Sequence, residues 1–280
     1  MYHKVIEWGR RITGDILPES RFKEAMRSLL RRYVPSNVVL DNELVRDIME
    51  YFNLSRNECV QMLKLGCKLN ACFWNTLLPK NTEEIESFYR LTPFYIFDLA
   101  YWHMQISQKR FRDKIIKIAS GDVLDYGGGI GDLCIKLAEK GLKVTYADVS
   151  GATFEFAKWL FKKMDYDIEI MDIRQKDIWK QYDTIICLDV MEQRIPDRQA
   201  LLEGMAMSIK EGGRLIITKL HGSEDAEVYP MHQKIGFNPE ELLNSCGLFK
   251  TDHEWLWVKT TTLIENFKSH QAEKACTCKT

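Results

Sequence analysis

The sequence predicts an α/β fold, with a parallel sheet covered by helices on both faces and a helical region in front of it. Two observations carry that prediction. From residue 113 onward, short β-branched or apolar runs alternate with segments of helical period, the order that builds parallel sheets. Residues 1–112 instead read as helices, with no strand alternation among them.

The strand elements follow in order. A first run, Val123-Leu124-Asp125-Tyr126, enters Gly127-Gly128-Gly129-Ile130-Gly131, and a helix is predicted over 131–140. Glycines suit such a loop because the chain must turn at positive φ and a ligand must approach without meeting a Cβ. The helix that follows points its free N–H groups at the occupant, so the loop reads as one for a nucleotide cofactor. A second strand over 143–147 ends at Asp148, 21 positions beyond Gly127, where an acid can grip a ribose diol. A third over 168–171 ends at Asp172. A fourth over 182–188 runs into Asp189-Val190-Met191-Glu192. A fifth begins at Arg214, after the turn Glu211-Gly212-Gly213, and runs to about Leu220, which should bring His221 out on the ligand side. Acids at strand tips in this order do not suit NAD.

The helical front divides similarly. Leu44, Ile48, Met49 and Phe52 share helical spacing, and Ser55-Arg56-Asn57-Glu58 is a capping box that opens the next helix. Two helices joined at 53–55 invite a helix-turn-helix reading. The second, however, carries Cys59, Met62 and Leu63 with few basic residues, which makes a poor groove reader. Residues 88–104 are unusually aromatic, and most such stretches are core between packed units.

Several ordered motifs together resemble the class I S-adenosylmethionine-dependent methyltransferases. Asp125, Gly127, Gly129 and Gly131 meet that family's Asp/Glu-x-Gly-x-Gly-x-Gly pattern in full. The resemblance covers roughly residues 120–260 and implies a Rossmann-like, seven-stranded, mostly parallel sheet with an antiparallel finish. It implies S-adenosyl-L-methionine as cofactor, held by Asp125 and the three glycines, by Asp148 with Val149 at the ribose, by Asp172 with Ile173 at the adenine, and by Leu188 beside the methionine moiety. Residues 209–215 look like the family's Leu-Lys-Pro-Gly-Gly turn, with Glu211 where proline is usual. Last strands are expected over 254–261 and 262–267. The expected division is a helical domain or lid over 1–112, a cofactor-binding domain over 113–267 and a flexible tail over 268–280. In methyltransferases of this kind the segment before the first strand closes over the site, which gives residues 88–104 a second reading as a lid. Tyr89, Tyr95, Tyr101 and His103 are then its polar-tipped candidates.

Composition narrows the classes. The 280 residues, 45% hydrophobic, allow one large domain with an extension or two modest ones. Net charge is −1, yet residues 1–120 hold 19 Lys and Arg against 14 Asp and Glu, an excess the size of an ordinary solvated face. Charges stand near the start where a secretion signal needs an apolar stretch, and the most apolar stretch, 93–104, contains Asp98 and His103 and falls short of the roughly 20 residues that cross a bilayer. The expectation is a cytoplasmic protein without a membrane span. Eight cysteines are expected to be reduced; Cys276 and Cys278 offer two ligands where a metal site needs four, so no metal is expected.

For a methyl transfer the chain must align a nucleophile and, for a hydroxyl, take its proton. Histidine suits that near neutral pH, which makes His232 the first candidate and His221 the second; Glu192 could instead orient a substrate amine. Asp189-Val190-Met191-Glu192-Gln193 resembles the Asp-Val-Leu-Glu-His run of small-molecule methyltransferases, with Gln193 replacing histidine. The Pro-Pro-Tyr segment carried by many base methylating enzymes is absent, so a nucleic-acid partner is not expected. The expected activity is therefore methyl transfer to an oxygen or nitrogen of a small molecule. A protein or RNA acceptor docked on the basic front, and a silent cofactor-binding subunit, are the alternatives.

Overall fold

The computed structural model describes residues 42–79, 81–174, 180–223 and 228–260. The predicted helices within 1–41, the strand over 262–267, the tail and Cys276 and Cys278 lie outside the described residues.

Five helices come first. α1 (Asn42–Phe52) and α2 (Arg56–Leu77) meet at Asn53, whose φ of 52° turns the chain. Ser55 opens α2 as the sequence predicts: its backbone N–H donates to the Glu58 carboxylate at 2.9 Å, and the Glu58 N–H donates back to Ser55 Oγ at 3.4 Å. α3 (Thr82–Leu91), α4 (Phe94–His103) and α5 (Ile106–Ile118) follow. The aromatic run is thus two helices broken at Pro93, and α5 continues without interruption into the segment before the first strand.

The remainder alternates as predicted: β1 (Asp122–Tyr126), α6 (Asp132–Glu139), β2 (Lys143–Asp148), α7 (Ala152–Lys163), β3 (Glu169–Asp172), β4 (Tyr182–Cys187), α8 (Arg198–Met207), β5 (Ile209–Ile217), α9 (Pro239–Ser245), β6 (Leu248–Lys250) and β7 (Leu256–Lys259). The sheet has seven strands in the order β3-β2-β1-β4-β5-β7-β6. β1 to β5 run parallel, and β7 lies antiparallel to β5 and to β6. The fold is therefore the Rossmann-like, mostly parallel sheet expected, preceded by helices.

Two strand boundaries differ from the sequence reading. β5 starts at Ile209 and absorbs the Glu211-Gly212-Gly213 turn, because a register shift against β4 between Tyr182 and Thr184 accommodates the extra residues. It ends at Ile217, short of the expected Leu220. The strand expected over 254–261 is observed as the shorter Leu256–Lys259, and its antiparallel partner is Leu248–Lys250, which the sequence reading did not mark. A three-residue strand offers too few alternations for periodicity to register it.

Alternate residues of the central strands feed different layers. Val123, Val144, Ile186 and Ile216 join one core with residues of α1, α2, α4, α6 and α7. Leu124, Ala147, Ile185 and Leu215 join the other, with α8 and α9. The helical front shares the first core with the sheet, and so is fixed against it by buried apolar area.

Candidate functional site

Strand order reverses direction of growth between β1 and β4, and the crevice outside their carboxyl ends is where such sheets take ligands. The loop from β1 enters it. The Gly127 N–H donates to Ala147 O at 2.7 Å, which ties the loop to β2. Gly129 (φ 57°) and Gly131 (φ 76°) occupy left-handed backbone that L side chains rarely adopt. Added Cβ atoms there would lie 3.0 Å from Leu99 Cδ1 and 2.6 Å from the Phe161 ring. At Gly128 an added Cβ would come within 2.6 Å of the Tyr146 ring.

The predicted acids line this crevice. Asp125 is buried and accepts from Cys134 Sγ at 3.1 Å; burial pushes its carboxyl up to about 6. Asp148 accepts the Gly129 N–H at 2.8 Å and the Val149 N–H at 2.6 Å, so one acid sets the curvature of both neighbouring loops. Its carboxyl is also pushed up to about 6, by burial that these N–H donors only partly offset. Ile173 N–H donates to Asp148 O at 3.1 Å, joining the second and third strand tips. Asp172 differs: burial opposes its charge, but bonds from Arg174 outweigh that and hold it below the usual carboxylate range. Sequence spacing gave no sign that Arg174 would sit on this acid.

Beyond β4, Leu188 packs at the core edge and Asp189 adopts a φ of 53°. Asp189 is held by Thr218, whose hydroxyl donates to Oδ1 at 2.9 Å, and by Trp102 Nε1–H, which donates to Oδ2 at 3.2 Å. Tyr89 Oη–H donates to Gln193 Oε1 at 2.6 Å. Both contacts run from the aromatic segment to the β4 tip. Within that segment Phe88, Phe94, Ile96 and Phe97 are core, while Tyr89, Trp102 and Leu99 face the crevice loops.

The two histidines separate. His232 stacks on Tyr229 at 4.6 Å and lies 3.2 Å from Gln193 Nε2 and 3.4 Å from Ser223 Oγ, next to the β4 tip. Gln193 Nε2 also donates to Asp189 O at 3.3 Å, which orients the amide and makes His232 Nε2 the acceptor. His221 does not join this group. Its side chain is 65% exposed and lies 3.3 Å from Glu240 of α9, because β5 ends four residues earlier and Lys219, at φ 53°, turns the chain outward. The expectation that His221 emerges over the crevice is corrected on that ground.

Asp132, the first residue of α6, fastens the front to this loop. It accepts from Arg112 Nη2 at 2.7 Å and lies 3.0 Å from His103 Nδ1. Burial opposes its charge, but Arg112 and His103 outweigh burial and hold the carboxyl well below the usual range. A carboxyl lowered in the folded state stabilises above its unfolded value, and the contribution is lost as pH falls toward the folded one. Asp132→Asn is thus expected to cost about 1–3 kcal/mol near pH 7. The gap from the wild type should shrink below about pH 4. Thermal melts at both pH values check it; an unchanging gap would show that the charge is not what matters.

A family model described as a methyltransferase domain matches residues 124–215. This stretch therefore matches a methyltransferase domain, and its strand order and glycine loop are those that the resemblance to the class I S-adenosylmethionine-dependent methyltransferases implies. The chain is 29% identical over 124 residues to a ubiquinone biosynthesis O-methyltransferase of Coxiella burnetii, covering 43% of this chain and 52% of that one. It is 25% identical over 121 residues to the enzyme of the same name from Stutzerimonas stutzeri, covering 42% and 52%. The chain therefore spans about half the length of the curated relatives it matches. Among solved structures it is similar to the N-methyltransferase NodS of Bradyrhizobium japonicum, at 17% identity and a TM-score of 0.42, covering 55% of this chain and 88% of that one. Among the described residues, no helix is long and apolar enough to cross a membrane.

Proposed function

We propose that the protein transfers a methyl group from S-adenosylmethionine to an oxygen or nitrogen of a small molecule by in-line displacement. The observation that carries this reading is the convergence of the glycine loop, the Asp148 and Asp172 tips and the β4 tip beneath the aromatic helices. The donor set fits the cofactor: a loop without Cβ atoms where a ligand must approach, and a half-buried acid already held by two N–H groups. When bound, the cofactor supplies a methyl group on a sulfonium, already activated for displacement. In this assignment Asp148 and Val149 hold the ribose, Asp172 and Ile173 flank the adenine, and Asp125 and the three glycines shape the cradle. Leu188 borders the methionine end. Tyr89, Trp102 and their neighbours exclude water and fix the acceptor's direction of approach, the chief demand of such a reaction.

The test is incubation of the full chain with methyl-labelled cofactor and separate pools of metabolites, protein and RNA, followed by mass spectrometry. Label in a small molecule is expected. Label confined to protein or RNA would move the acceptor to the basic front, and failure to bind the cofactor's demethylated product in calorimetry would overturn the reading altogether.

A further inference from the structure

Glu192 is the feature that the fold alone does not require. It lies two residues beyond Val190, which packs against the glycine loop, and is 2% exposed. Its Oε2 is sealed from solvent and, among the described residues, has no hydrogen-bond partner. A buried acid oxygen left without a donor is costly, and a core that only needed filling would hold an apolar side chain there. The groups that face Glu192 come from every side. Asp189 on its own loop repels its charge, Lys219 beyond β5 attracts it, and Cys187 at the end of β4, Tyr89 of α3 and Tyr95 of α4 lie within its field. None of them donates a hydrogen bond to Oε2.

The rings of Tyr89 and Tyr95 meet edge to face at 6.0 Å, and Tyr229 stacks on His232 beyond Gln193. Both nitrogens of His232 already face partners, Gln193 and Ser223, whereas Glu192 holds an oxygen waiting for a donor. A buried acid oxygen awaiting a donor is suited to a protonated nitrogen, through charge pairing.

We propose that the methyl acceptor is an amine and that Glu192 receives its nitrogen, pairing Oε2 with an N–H and taking the proton that must leave before attack. This rests on the function proposed above. The ammonium passes a proton to the Glu192 carboxylate, and the freed lone pair forms the bond to the methyl carbon. The carbon–sulfur bond breaks with its electron pair remaining on sulfur as a neutral thioether. The methylated ammonium departs, and Glu192 passes its proton to water that enters as the product leaves. Burial, with Asp189 adding to it, pushes this carboxyl up to about 8, so it is mostly protonated at neutral pH until an ammonium pairs with it. The rate should therefore rise with pH across that range.

The experiment uses the full chain with labelled cofactor and two kinds of probe, phenethylamine and tyramine as amines, catechol as a hydroxyl acceptor. Glu192→Gln keeps shape and should bind the demethylated cofactor within twofold of the wild type, which also reports folding. Label is expected in the amines. The substitution should lower kcat/KM for them at least 30-fold and remove the rising limb of the pH profile. Label in catechol only, an unchanged profile in Glu192→Gln, or no methylation of the amine probes together with no millimolar binding of them to the wild type, would overturn the proposal. Loss of cofactor binding by the wild type would instead overturn the function on which it rests.

Discussion

Asp148→Ala is expected to weaken binding of S-adenosylmethionine and its demethylated product by about 30- to 100-fold, or roughly 2–3 kcal/mol. Two effects add. The substitution removes the carboxylate assigned to the ribose, and it frees the Gly129 and Val149 N–H groups whose bonds set the loops on either side. Asp148→Asn should lose nearly as much, since one amide cannot accept from both N–H groups without turning its own donor toward one of them. Because burial pushes Asp148 up to about 6, the acid that grips a diol is the form present above that pH. Affinity should therefore fall as pH drops through about 6, and the fall should be shallower in Asp148→Ala, where Asp125 is the cradle acid left to titrate in that range. Calorimetry between pH 5 and about 8 checks both statements. Unaltered affinity in a folded Asp148→Ala protein would remove the acid from the site.

Gly66→Ala should lower stability by about 3 kcal/mol, a loss of roughly 6–12 °C in melting temperature for a domain of this size. Gly66 lies within α2, where an exposed glycine replaced by alanine would gain about 1 kcal/mol of helix propensity. Here the sign reverses. A Cβ at Gly66 would come within 2.5 Å of Asp98 N and 2.9 Å of its Cα, and backbone cannot turn aside as a flexible side chain can. One turn on, Asn70 Nδ2–H donates to Asp98 Oδ2 at 3.1 Å, and Thr92 Oγ1–H donates to Asn70 Oδ1 at 2.8 Å. The glycine lets α2 and α4 close until that buried chain of polar groups can form. Differential scanning calorimetry reads the effect, and an unchanged or raised melting temperature would show that the two helices do not cross so closely.

Much of this protein is legible in its sequence. β-branched runs separated by helical periods dictate a parallel sheet, since only crossover helices connect parallel neighbours. The glycine loop and the acids at Asp148 and Asp172 could be located because they are local features, tied to strand ends that the chain itself marks. The capping box at Ser55 is likewise a matter of four consecutive residues, and it closes as expected. The weaker readings fell where local pattern ends. β6 is too short to alternate, and the turn within β5 is absorbed by a register shift against β4.

The sequence by itself determined the class of fold, the order of its strands along the chain and the cradle built from consecutive residues. Tertiary structure alone decided what stands opposite that cradle. Tyr89 and Gln193 are separated by 104 positions and Trp102 and Asp189 by 87, so no spacing rule could pair them. It decided between the histidines as well, turning His221 to Glu240 and setting His232 beside the β4 tip. It also left Glu192 buried with an oxygen unpaired, a property that no residue has in a linear string. Hydrogen-bond satisfaction and burial belong to the packed chain, because both are set by neighbours that sequence distance does not constrain.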